Sequence, residues 1–179
     1  MNIRDLIVQT AKSYIGMKEV GKNAGFENAI FEEKMKGVGF DSGEAWCSLF
    51  AELVVCEAYG KLDSTYIYKL QKIFSENAYK TYTNFKNAKG FKVSNKPEPG
   101  NIVFWQSYKN NEPVKNGSWF TGHVGIVTGV HQLYFDTVEG NTNAAGSREG
   151  QGVYEKKREY DFYKNTGLRL LGFVKPIEV

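Results

Sequence analysis

At Gly100 the apolar pattern of this chain changes its period. Upstream, Ile3, Leu6, Ile7, Ala11, Tyr14 and Ile15 recur at the spacing of a helix buried along one face. Downstream, Ile102, Val103, Phe104 and Trp105 form a short apolar run, and residues 134–138 alternate as a strand does. Helices first and strands after predict an α+β fold, with N-terminal helices packed on one face of an antiparallel β-sheet.

The elements follow from local signals. The first helix ends near Gly16. Residues 17–44 are rich in glycine, with a short helix over about 28–36. Leu49, Phe50, Leu53, Val54 and Ala58 form the stripe of a helix that begins at or just before Cys47 and stops at Gly60. Residues 63–77 offer a third helix through Tyr66, Leu70 and Phe74. Residues 77–96 read as polar and irregular, closed by the turn Lys96-Pro97-Glu98-Pro99-Gly100. A polar loop over 107–118 leads to a strand at 124–128. Further strands are expected at 151–158 and 168–174. No internal repeat or linker divides the chain, so residues 1–179 read as a single domain.

Composition narrows the function classes. With 41% apolar residues the 179-residue chain can bury a core, which excludes wholesale disorder. A formal charge of +3, with lysines scattered, is too weak for a nucleic-acid partner. No apolar run approaches the ~20 residues that span a bilayer. No signal-peptide core follows Asn2, Ile3, Arg4 and Asp5, so synthesis in a cytoplasm is expected.

Chemistry rests on few residues, because there are two cysteines and two histidines. Cys47 and Cys56 lie nine residues apart on one helix, roughly 13 Å along its axis, which excludes a disulfide between them. Cys47 stands at a helix N-terminus, where free amides and the positive end of the dipole favour a thiolate and can hold an oxyanion. A small buried hydrophobe is the competing reading, and it is the preferred one for Cys56 among Val54, Val55 and Ala58.

His123 opens a strand between Gly122 and Gly125, glycines that allow close approach of another chain or a substrate. His131 reads as a solvated residue at a hairpin tip. If 123–130 and 133–140 form that hairpin, Glu139 falls near His123 and can hold its tautomer. Asn141 can serve the same end or help an oxyanion; a plain strand-end turn competes. A metal site from Cys47, His123, His131 and Glu139 lacks the Cys-x-x-Cys or His-x-x-x-His spacing that would support it, so no metal and no cofactor are expected. Trp46, Trp105, Trp119 and Phe120 are candidates to line a substrate groove, with core packing as the alternative.

Four segments together resemble the CHAP family, the cysteine, histidine-dependent amidohydrolases/peptidases of the NlpC-like and papain-like group. They are Trp46-Cys47-x-x-Phe50, the run from Lys96 to Trp105, Gly122-His123-Val124-Gly125-Ile126-Val127, and Glu139-Gly140-Asn141. The stretches 15–20 and 23–25 look like the lead-in of phage and bacterial wall-lytic members. The resemblance implies a papain-like core and hydrolysis of peptidoglycan, at the N-acetylmuramoyl–L-alanine amide or at a stem or cross-bridge peptide bond. By position it makes Cys47 the nucleophile, His123 the base, Glu139 its orienting group and Asn141 a supporting residue. Members often carry Asp where Asn101 stands. Some members bind calcium, for which Asp41 and Glu44 are too sparse a set. The expected protein is a monomeric, endolysin-like enzyme acting on the cell wall, released by a holin or a dedicated export system. A peptidase or acyltransferase with a non-wall substrate, and an inactive wall-binding module, are the alternatives.

Overall fold

The structure, a computed structural model, describes residues 2–142 and 151–179. Its first helix, α1 (Ile3–Ser13), is followed by a small ribbon of β1 (Glu19–Val20) and β2 (Gly25–Phe26), then α2 (Ala29–Gly37), α3 (Cys47–Gly60), α4 (Tyr66–Ile73) and α5 (Ala78–Asn87). Asparagine sets three of these starts. The side chains of Asn2, Asn28 and Asn77 accept from the backbone N–H of Asp5, Phe31 and Lys80, each three residues on. Each bond satisfies an amide that the helix itself leaves unpaired.

The strands follow as β3 (Lys92–Ser94), β4 (Ile102–Lys109), β5 (Glu112–Pro113), β6 (Lys115–Asn116), β7 (Trp119–Phe120), β8 (Gly122–Val130), β9 (Tyr134–Thr142), β10 (Gly152–Glu159) and β11 (Gly167–Lys175). Seven of them form an antiparallel sheet in the order β10-β9-β8-β4-β11-β3, with β5 paired to β4; β6 and β7 form a separate ribbon. The α+β expectation therefore holds, with helices on one sheet face.

Two apolar clusters show how the layers divide. Ile102, Phe104, Val124, Ile126 and Val138 point into the large core beneath the helices. Val103, Trp105, Val127, Phe135, Leu170 and Phe173 point to the other face, where Tyr160, Phe162 and Leu168 cover them. Alternate residues of one strand thus supply both cores. The helix at the centre is α3. Every residue from Cys47 to Val55 is buried, so it is enclosed rather than lying on one stripe as its sequence suggested. It packs against α1 on one side and β8 and β9 on the other.

The segment expected to be irregular, 77–96, is mostly ordered into α5 and β3. Its apolar stripe is made of Ala78, Thr81 and Phe85, too short and too polar to stand out, yet all three are buried. The expected loop at 107–118 likewise contains the end of β4 together with β5 and β6. Among the described residues no helix is long and apolar enough to cross a membrane.

Candidate active site

Cys47 is the first residue of α3, and it is free and buried. Trp46, in the cap position, makes no side-chain cap bond, unlike the asparagines that start α1, α2 and α5. The first amides of α3 therefore have no side-chain acceptor from the cap. Cys47 lines a cleft of about 390 Å³ together with Gly43, Glu44, Lys80, Trp119 and Asn141.

His123 is wholly buried on β8. It pairs with Trp105 of β4, so its ring shares the face of the second apolar cluster and lies 5.8 Å from the indole. Glu139 of β9 is also wholly buried, and its Oε2 is 2.8 Å from His123 Nε2. The contact is diagonal rather than directly across the hairpin. The register Ile126↔Val138 and Val127↔Thr137 sets Glu139 opposite Gly125, and its side chain lies over that glycine. A Cβ at 125 would sit 2.7 Å from Glu139 Cγ, so only glycine leaves room for the carboxylate to reach the imidazole.

A carboxylate only accepts, so Nε2 carries the proton in this pair and Nδ1 is left to take the proton of a thiol. Nδ1 has no hydrogen-bond partner of good geometry among the described residues. Cys47 nevertheless acts on the ring. Burial pushes the imidazole's pKa down, but the charge and hydrogen bonding of Cys47, followed by those of Glu139, outweigh it and raise the value to about 9. A raised pKa favours the protonated form of the His123 ring beside Cys47.

Glu139 is saturated with donors. Thr137 Oγ1 and Arg158 Nε donate to its Oε1, at 2.5 and 2.8 Å. His123 Nε2 and Arg158 Nη2 donate to its Oε2. Burial alone would raise its pKa; the bonds to Arg158 and His123 override this and hold the carboxyl far below the ordinary carboxylate range.

The sequence candidates divide on structural grounds. Cys47 and Asn141 share the cleft wall, while His123 and Glu139 lie in the protein interior. Asn141 is buried, and its positive φ of 51° turns β9 at the cleft. Trp46 does not face a substrate: it is fully buried, donates from Nε1 to Glu19 Oε2 at 2.9 Å, and packs edge-on against Phe26 and Phe50. Trp105 is also withdrawn, as the floor beneath His123 and Arg158. Trp119 is 46% exposed in the cleft with Lys80 Nζ 5.2 Å over its ring, and Phe120 is half-buried against Tyr79.

Cys56 is partly buried, and its thiol is pushed up to about 12 by burial and by Glu52, which suits packing rather than nucleophilic work. No three metal-ligating side chains gather among the described residues.

Two sets of site residues escaped the sequence reading. Glu76, Asn77 and Lys80 line the cleft from the junction of the helix expected over 63–77 and the segment 77–96 taken as irregular. The Asn77-x-x-Lys80 cap was a signal for that helix start. Arg158 lies on the strand expected at 151–158, where nothing local marks it as part of the site.

An α+β fold with a cysteine at a central helix start, lining a cleft, and a buried histidine–carboxylate pair on the sheet behind it is of the papain-like class. Residues 39–141 match the CHAP domain, and the chain belongs to this family of cysteine, histidine-dependent amidohydrolases/peptidases. Among solved structures the chain is similar to "The crystal structure of Ly7917", with a TM-score of 0.51 and 16% identity. The match covers 97% of this chain and 62% of that one, and at this identity the likeness is one of fold. No curated protein matches the chain.

Proposed function

We propose that this protein is a peptidoglycan hydrolase that cuts a wall amide bond, either the N-acetylmuramoyl–L-alanine amide or a stem or cross-bridge peptide bond. The observation that carries the reading is the buried His123–Glu139 pair acting on Cys47 at an uncapped helix start, within a CHAP-family chain.

The Cys47 thiolate attacks the amide carbonyl carbon. The developing oxyanion is held by the free amides at the start of α3, with Asn141 beside them on the cleft wall. His123 gives its Nδ1 proton to the leaving amine, and the C–N bond breaks to leave a thioester on Cys47. His123, now neutral, takes a proton from water. The hydroxide attacks the thioester, releasing the carboxylic acid and regenerating the thiolate–imidazolium pair. Glu139 stays ionised throughout and fixes the ring. Trp119 offers the cleft's aromatic surface to glycan or peptide, and Lys80 and Glu76 give it both signs of charge.

Purified sacculi test the reading. The wild-type protein should release soluble fragments bearing new amino termini, read by mass spectrometry. Cys47→Ala and His123→Ala should release none while melting as folded proteins. Full release by either variant, or intact sacculi with wild type under conditions where Cys47 reacts with a thiol probe, overturns it.

A further inference from the structure

Arg158 stands outside the Cys, His, Glu and Asn set, yet it makes two of the four hydrogen bonds to Glu139. On β10 it pairs with Phe135, and its side chain runs back diagonally across the sheet face to the carboxylate. The guanidinium also lies over the Trp105 ring, 5.2 Å from its centroid, on the indole that floors His123. Its side chain is 15% exposed, so the ion pair is largely withdrawn from water. A guanidinium presents paired donors in a rigid plane that matches a carboxylate; an ammonium cannot fix the carboxylate's rotation in this way.

We infer that Arg158 is a positioning residue of this site: its fork fixes the Glu139 carboxylate in the orientation that takes His123 Nε2–H and leaves Nδ1 for Cys47. The inference deepens the proposed mechanism and rests on it for the roles of Cys47 and His123.

The charges facing Glu139 are His123 from β8 and Arg158 and Lys156 from β10, with Cys47 reaching His123 from α3. Thr137 donates from β9, and Tyr154 is opposite Glu139 in the β9–β10 register. Thiolate, imidazolium, carboxylate and guanidinium alternate in sign along this path. Deleting the guanidinium removes a buried positive charge and frees Glu139 to take a proton. Both changes disfavour the thiolate–imidazolium pair at the acid end, so its formation shifts to higher pH.

The test compares Arg158→Met and Arg158→Lys with wild type. Alkylation of Cys47 by iodoacetamide, followed at its own peptide by mass spectrometry across pH, needs no wall substrate. In Arg158→Met its inflection should rise by about one pH unit or more, with kcat on sacculi down about a hundredfold at unchanged KM. Arg158→Lys keeps the cation and should restore the inflection, but not kcat, because the fork is lost. A purely structural role would lower activity equally at all pH values, in step with the folded fraction. Wild-type inflection and kcat in a folded Arg158→Met overturn the inference. Should that variant not fold, wild-type kcat in Arg158→Lys overturns it. If the inflection moves while wild-type protein leaves sacculi intact, the proposed function fails and the role of Arg158 stands.

Discussion

The β8–β9 hairpin carries the same pair twice. At one end His123 meets Glu139 at 2.8 Å, and at the other His131 meets Asp136 at 2.7 Å. Each carboxylate lies over a glycine of β8: Glu139 over Gly125 and Asp136 over Gly129. Distance and local geometry therefore do not separate the two. Surroundings do. Both partners of the first pair are fully buried, while those of the second are 43% and 24% exposed. The buried pair has Arg158, Thr137 and Cys47 around it; the outer one has Tyr134 stacked on its imidazole at 4.3 Å. On the proposed mechanism, a histidine–carboxylate contact becomes a chemical device only where water is excluded and further charges are fixed around it.

The largest expected contrast is in activity. His123→Ala should lower fragment release from sacculi by about a thousandfold or more. His131→Ala, which removes a solvated partner, should stay within about twofold of wild type. A large loss in both would break the distinction.

Stability should separate the carboxylates. Glu139→Gln leaves the Arg158 cation buried without its counter-charge and should cost about 3–5 kcal/mol in urea unfolding. Asp136→Asn loses an exposed pair and should cost about 0–1 kcal/mol. The glycines sharpen the same point. In Gly125→Ala the new methyl meets Glu139 Cγ at 2.7 Å, on a side chain whose carboxylate is tethered by four hydrogen bonds, and about 1–3 kcal/mol of overpacking is expected, with lost activity. In Gly129→Ala the obstacle is the tip of a partly exposed Asp136 at 2.8 Å, which can swing into water, so about 0.5 kcal/mol or less is expected.

The smallest effect is one of pH. The folded-state value of His123, about 9, lies above the ordinary 6.5 of an unfolded chain. Its contribution to stability is therefore full below about pH 6.5 and is lost as pH rises through 9. Unfolding of wild type in urea should weaken across that window. In Cys47→Ala the loss should set in at lower pH, because the group that most raises the imidazole is gone. An unchanged window in that variant would remove Cys47 from the pair.

The fold was legible where local signals were strong. Asn28 and the glycine at 60 bracketed helices, and the apolar strands stood out against their polar turns. The miss at 77–96 has a physical cause: a helix covered by neighbours on a narrow face needs only Ala78, Thr81 and Phe85 inside, and tertiary packing supplies the rest of its stability. Of the aromatic candidates, Trp46 and Trp105 turned inward while Trp119 lines the cleft, for a related reason. Trp46 and Trp105 are fit by chemistry to hold a sugar or to fill a core, and only their burial tells which.

What the sequence determined by itself was a short list of chemical groups and their local settings. Cys47 had to begin a helix because an apolar run follows it, and His123 had to enter a strand because Val124, Ile126 and Val127 do. Spacing also set Glu139 near His123 if a hairpin formed there; the register, and the further groups that act on the pair, were decided by tertiary structure. Glu139 reaches His123 because the hairpin register sets it over Gly125, and Arg158 reaches Glu139 from a strand whose pairing is not local. Charge coupling depends on separation in space and on the exclusion of water, and neither is written in residue spacing.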